Sequence, residues 1–125
     1  MTKPFRLTRP TLNENDIEAA CLDLLHIRGY KEERLHSGRF RTMDGKRVIT
    51  AGEPGIPDYV TVHRQFPGFY LEVKRPGGQP KPHQETKIRE LRSGWRLAVA
   101  VVDSAMNLRD WLNAHEREAG NRATG

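Results

Sequence analysis

The sequence predicts a single α/β domain in which strands are covered by helices, and three observations predict it. Apolar residues recur at helical spacing near the N-terminus, two alternating segments flank a turn in the middle of the chain, and a continuous apolar run of strand length lies between two further helical patterns. At 125 residues the chain is long enough for one packed core and too short for two independent ones. Residues 1–125 therefore read as one domain, with an irregular arm over 1–12 and a small-residue tail over 119–125.

The first helix is expected from Asn13, with Ile17, Cys21, Leu24 and Leu25 on one stripe and Gly29 at its end. Asp16 lies three residues after Asn13, the spacing of a capping pair, which assigns it to the helix start rather than to a metal. Asp44-Gly45 separates two basic segments, Arg39 to Thr42 and Lys46 to Thr50, as the turn of a hairpin. A turn-rich stretch, Gly52 to Gly55, leads into Asp58–His63 and then, across a turn at Gln65–Gly68, into Phe69–Lys74. These two segments predict an antiparallel hairpin. With Val60 opposite Glu72 and Asp58 opposite Lys74, the side chains of Asp58, Glu72 and Lys74 share one face; a slip of one residue would separate them. Pro76 to Pro82 is a linker whose last proline opens a helix expected to run to about Ser93. Ile88 and Leu91 follow Gln84 by four and seven residues, so this amide sits on the inward stripe. Leu97–Val102 predicts a strand buried on both faces, and Ser104 to about Glu118 a closing helix with Leu108, Trp111 and Leu112 inward.

Lys and Arg exceed Asp and Glu by 21 − 16 = 5, and the pI near 9.7 favours polyanionic partners. The chain contains no apolar run of the ~20 residues a membrane span needs and no apolar leader at its start, so the expected setting is the cytosol, without a membrane partner. Cys21 is the only cysteine, which excludes an internal disulfide or a zinc knuckle and predicts a small buried apolar side chain.

Hydrolysis of a phosphodiester needs an activated water, charge stabilisation on the phosphate and protonation of the leaving oxygen, much of which carboxylate-held divalent cations supply. Asp58 and Glu72 are suited to hold such an ion, and Lys74 to orient water or offset developing charge. The arrangement Gly55-Ile56-Pro57-Asp58, a spacer, Glu72-Val73-Lys74 followed by Arg75-Pro76-Gly77-Gly78, then Gln84, resembles the PD-(D/E)xK nuclease superfamily and within it the virus-type replication-repair nuclease (VRR-NUC) domains. The resemblance extends from about Glu14 to Val102. It implies a three-layer PD-(D/E)xK nuclease-like core with a mixed β-sheet flanked by α-helices, dependence on Mg²⁺ or Mn²⁺, and endonuclease action on DNA, with branched junctions as the structure-selective substrate. It further implies Asp58 and Glu72 as metal ligands with the Val73 carbonyl, Lys74 as catalytic lysine, Gln84 as a site-lining residue and Glu14 as an outer acid acting through water. By analogy a homodimer in the cytoplasm of a bacterium or phage host is expected.

Simpler readings stand beside these. Glu72 and Lys74 also suit a solvated strand face ion-paired with Asp58, and Glu14 a helix-dipole acid. Arg39, Arg41, Lys46, Arg47, Arg75, Lys81 and Lys87 are candidates to track a phosphate backbone, while His83 reads as an exposed first-turn residue. Trp95, Trp111 and Phe69 read as core rather than stacking platforms. The alternative to an enzyme is a non-catalytic nucleic-acid-binding module on the same fold.

Overall fold

The computed structural model describes residues 13–35, 38–41, 44–46, 48–51 and 55–124, with backbone alone at 38–41, 48–51, 123 and 124. The expected arm over 1–12, residue 47 and the 52–54 part of the turn lie outside the described residues.

Helix α1 (Glu14–Ile27) starts where its cap dictates. Asn13 Oδ1 accepts from the Asp16 amide at 2.9 Å, and the Asp16 carboxylate accepts from the Asn13 amide at 3.4 Å, so two otherwise orphaned N–H groups are satisfied reciprocally. Gly29, at φ 87°, reverses the chain beyond the helix, a conformation open to glycine at little cost. The chain then forms β1 (Lys31–Arg34), β2 (Gly38–Arg41), β3 (Val48–Ala51), β4 (Tyr59–Val62) and β5 (Tyr70–Val73), followed by α2 (Pro82–Arg89), a π-helical turn at Glu90–Gly94, β6 (Val99–Val102) and α3 (Ala105–Thr124).

A four-stranded mixed sheet has the order β1-β4-β5-β6, antiparallel except for the parallel pair β5–β6, while β2 and β3 form a separate antiparallel hairpin. That hairpin turns at Asp44-Gly45, as the sequence predicts, with Gly45 at φ 73° and the Asp44 carboxylate accepting from the Lys46 amide at 3.0 Å. Side chains alternate along β6. Ala100 and Val102 join Ile17, Cys21, Leu25, Leu71, Val73, Leu108 and Leu112 in the larger core between the sheet and helices α1 and α3. Val99 packs with Tyr70, Val101, Ile88 and Leu91 on the opposite face, beneath α2 and the π-helical turn. The strand begins at Val99 rather than at the expected Leu97, which is 41% exposed; Val99–Val102 is apolar throughout because the strand is covered on both sides. Cys21 is buried, with its thiol pushed by that burial up to about 11.

Four further differences from expectation have physical causes. Lys31–Arg34 is a strand although it lacks apolar alternation: it is an edge strand, three of its four residues are exposed, and backbone pairing with β4 defines it. Helix α2 ends at Arg89, where the backbone widens into the π-helical turn, and that turn brings the Leu97 amide to the Leu91 carbonyl at 2.9 Å. The closing helix runs to Thr124, past Glu118, helped by an Arg122–Glu118 pair one turn apart at 2.6 Å. Trp95 is 69% exposed rather than part of the core, whereas Phe69 is buried against a half-buried Trp111. Among the described residues, no helix is long and apolar enough to cross a membrane.

Candidate active site

The β4–β5 hairpin brings Asp58 and Glu72 together in a register two residues from the one expected. Tyr59 lies opposite Leu71 and Val60 opposite Tyr70, which places Asp58 opposite Glu72 rather than Lys74. Because side chains alternate with period two, this shift leaves Glu72 and Lys74 on one face and costs the arrangement nothing. The turn causes it. His63 Nδ1 accepts from the amides of Gln65 and Phe66, at 2.9 and 3.2 Å, while Thr61 Oγ1 accepts from the Phe69 amide at 3.1 Å. The reversal is therefore organised around His63 and closes against Gly68, where an added Cβ would lie 2.2 Å from the Thr61 carbonyl oxygen.

Pro57-Asp58 ends the ladder in a particular way. The Thr61 amide donates to the Phe69 carbonyl, and the two-residue period of antiparallel bonding carries this exchange to Tyr59 and Leu71 and then to Pro57 and Val73. Proline has no N–H to give the Val73 carbonyl. The Val73 amide turns instead to Asp58 Oδ2 at 3.0 Å, and the Asp58 amide donates to Glu72 Oε2 at 3.1 Å. Glu72, only 2% exposed, uses its other oxygen for Lys74 Nζ at 2.9 Å and for the Gln84 side-chain amide at 3.2 Å. Gln84 Oε1 accepts from Lys74 Nζ at 2.8 Å and from the Lys81 amide at 3.0 Å, so it also caps the start of α2. Asp58, Glu72, Lys74 and Gln84 thus form one connected hydrogen-bond network.

Gly55 holds the helix to this network. Its φ of 82° suits glycine, and a Cβ there would come within 2.5 Å of the His83 carbonyl oxygen and 3.2 Å of Gln84 Cα. The Gly55-Ile56-Pro57-Asp58 sequence accordingly seats the first turn of α2 against the end of β4.

The two carboxyl groups oppose each other's ionisation. Burial pushes both above the usual carboxylate range; Glu72 is pushed further by the Asp58 charge and pulled back by Lys74, and Asp58 is pulled down by the Val73 amide and pushed up by Glu18 and Glu14. Glu14 is exposed in the first turn of α1 and among the described residues acts on Asp58 through charge alone. Glu18, one turn later, is the nearer acid that the sequence reading missed. It is mostly buried, accepts from the Tyr59 hydroxyl, and pairs with Arg34 at 3.2 Å. Its i+4 spacing from Glu14 is the signal that it faces the same way.

Of the expected basic contacts, Arg75, Lys46 and Lys81 are exposed, and Lys87 is mostly buried with a 3.7 Å pairing to Glu90. Arg75 continues directly from Lys74 into a turn in which the Gly78 amide donates to the Arg75 carbonyl at 2.8 Å, with Gly77 at φ 74°. The side chains of Arg39 and Arg41, and all of Arg47, fall outside the described residues. His83 is exposed, as expected.

Among the described residues, no group of three or more His, Cys, Asp or Glu side chains is arranged to hold a metal ion. The donors that do meet are oxygens: the Asp58 and Glu72 carboxylates, and the Val73 carbonyl that Pro57 leaves without a ladder partner. This set fits a hard divalent cation such as Mg²⁺, which is held by one or two carboxylates and keeps several waters. The chain is therefore a mixed α/β protein with an acid–acid–lysine–glutamine cluster at the end of its central hairpin. No family model matches it, and no curated protein does.

Proposed function

We propose that this protein is a Mg²⁺- or Mn²⁺-dependent endonuclease that hydrolyses DNA phosphodiester bonds, a VRR-NUC-type member of the PD-(D/E)xK superfamily selective for branched DNA. The connected network of Asp58, Glu72, Lys74 and Gln84 carries this reading. A solvated strand face would leave these side chains in water, yet Glu72 is 2% exposed and engages both Lys74 and Gln84.

Asp58, Glu72 and the Val73 carbonyl would hold the ion, which supplies Lewis acidity at the scissile phosphate. Lys74 is fixed by two acceptors, Glu72 Oε1 and Gln84 Oε1, and keeps a third N–H for the attacking water or a phosphate oxygen. Gln84 sets the direction of that N–H and locks α2 to the hairpin. Glu18 and Glu14 add negative potential beside Asp58, which favours a cation there. Arg75 and Lys81, exposed on either side of the linker from Lys74 to α2, suit contacts to the phosphate backbone. A homodimer in a bacterial or phage-host cytoplasm would present two such sites at fixed separation, as paired cuts on a junction require; sedimentation showing a monomer that still cuts a four-way junction symmetrically would remove the dimer.

The decisive experiment incubates the protein with a labelled four-way DNA junction and with matched linear duplex, in Mg²⁺, Mn²⁺ or EDTA, beside Glu72→Ala. Metal-dependent and Glu72-dependent cutting of the junction is the expected result. No cutting with salt-sensitive binding retained identifies a non-catalytic nucleic-acid-binding module instead.

A further inference from the structure

At the opposite end of the sheet from Asp58 and Glu72, where β5 and β6 begin, an open cavity of about 410 Å³ is lined by Arg92, Arg96, Arg122, His115, Gly68 and Ala98, among others. Three arginines and one acid, Glu118, line it together with small residues. Arg122 is paired with Glu118 at 2.6 Å, and one nitrogen of Arg92 donates to the Val99 carbonyl at 2.7 Å. Arg96 makes no hydrogen bond or ion pair among the described residues, and it alone of the described non-glycine residues has a positive φ, 53°. Immediately before it Trp95 is 69% exposed, and immediately after it Leu97 is 41% exposed. A left-handed backbone at Arg96, next in sequence to an exposed indole, carries strain that packing does not require and holds a solvated guanidinium free for a ligand.

We infer that this end of the molecule binds single-stranded nucleic acid, with Arg96, Arg92 and Arg122 receiving backbone phosphates and Trp95 stacking on a base. The cavity supplies cationic depth for phosphate, and the aromatic neighbour supplies a sequence-tolerant platform that unpaired bases can use and paired bases cannot. Gly68 lies in the turn before β5, four residues ahead of Glu72, so along the chain the two ends are at most roughly 13 Å apart. A strand held here is distinct from the phosphodiester at Glu72, and its binding does not depend on hydrolysis there.

The test is fluorescence anisotropy of a labelled oligothymidine strand in EDTA, so that cleavage plays no part, across a salt series. Trp95→Ala should weaken binding about 5- to 150-fold, with Trp95→Phe retaining most of the affinity. Arg96→Gly suits the positive φ and so removes the guanidinium without a folding penalty; it should weaken binding and lower the salt slope by about 0.7. Binding of a matched duplex should be insensitive to Trp95→Ala. The inference is overturned if either variant binds the strand like wild type, or if duplex binding falls equally in Trp95→Ala. Failure of the nuclease assay leaves these outcomes unaffected, and their failure leaves cleavage at Glu72 untouched.

Discussion

Glu72 concentrates the chemistry of the site in one side chain, because it is buried beside a second carboxylate and relieved by a lysine. Its carboxyl and that of Asp58 titrate higher in the folded protein than in the unfolded chain, so the folded state holds the extra protons. Stability therefore falls as pH rises from the unfolded carboxylate range near ~4 through the higher folded values. Glu72→Gln should gain stability relative to wild type across that rise, and urea melts of both at pH 4 to 7 will show it; parallel stability curves would mean that Glu72 is not destabilised by ionisation. At Gly55 the effect is steric. Gly55→Ala forces a Cβ toward the His83 carbonyl at an unfavourable φ, with an expected loss of roughly 1–3 kcal/mol in denaturant melts. Were cleavage to survive undiminished in that variant, Gln84 would not need its present seat. The sequence showed Asp58, Glu72, Lys74 and Gln84 as one constellation because each has a strong local context, whereas Glu18 was hidden behind Glu14. Trp95 was misjudged because aromatic identity alone says nothing of the π-helical turn that ejects it.

Among the elements, those with internal signals were legible. Asn13 and Asp16 announce α1, and Asn13→Ala should cost about 1 kcal/mol, measured by thermal or urea unfolding. A smaller loss than a few tenths of a kcal/mol would show that solvent replaces the cap. The apolar run of β6 and the alternation of β4 and β5 likewise mark themselves. Edge strand β1, by contrast, has three exposed residues out of four and owes its shape to a partner distant in sequence, so no periodicity betrays it. The β4–β5 register was also invisible. It depends on His63 gathering the Gln65 and Phe66 amides, a side-chain contact inside the expected Gln65–Gly68 turn that the turn residues themselves do not announce. That the error was two residues, and not one, preserved the face on which the chemistry stands.

At the scale of the whole molecule, two helices cover one face of the sheet and α2 the other, and the proposed cation would sit at the buried carboxylate pair, where its binding is linked to folding. A bound ion should raise the melting temperature. If Mn²⁺ binds as proposed, a hundredfold excess over its Kd should stabilise by about 2.7 kcal/mol, and the shift should vanish in Asp58→Asn. An equal shift in that variant would place the ion elsewhere. The net charge of +5 makes any DNA affinity steeply salt-dependent, which is why the binding and cleavage assays belong at defined ionic strength.

The sheet of this protein also ends deliberately at both margins. On one side lies the charged strand Lys31–Arg34; on the other, β6 is wholly apolar, but Arg92 covers the outward Val99 carbonyl and Asn107 accepts from the Asp103 amide at 3.3 Å. Among the described residues, the part of the β6 margin around Val101 is left open to another backbone. Strand-to-strand pairing through the margins of this four-stranded sheet is therefore disfavoured. Removing the guanidinium of Arg92 lengthens the uncovered margin of β6, so light scattering of concentrated Arg92→Ala should exceed that of the wild type, and equal scattering would show that this contact does not guard the edge.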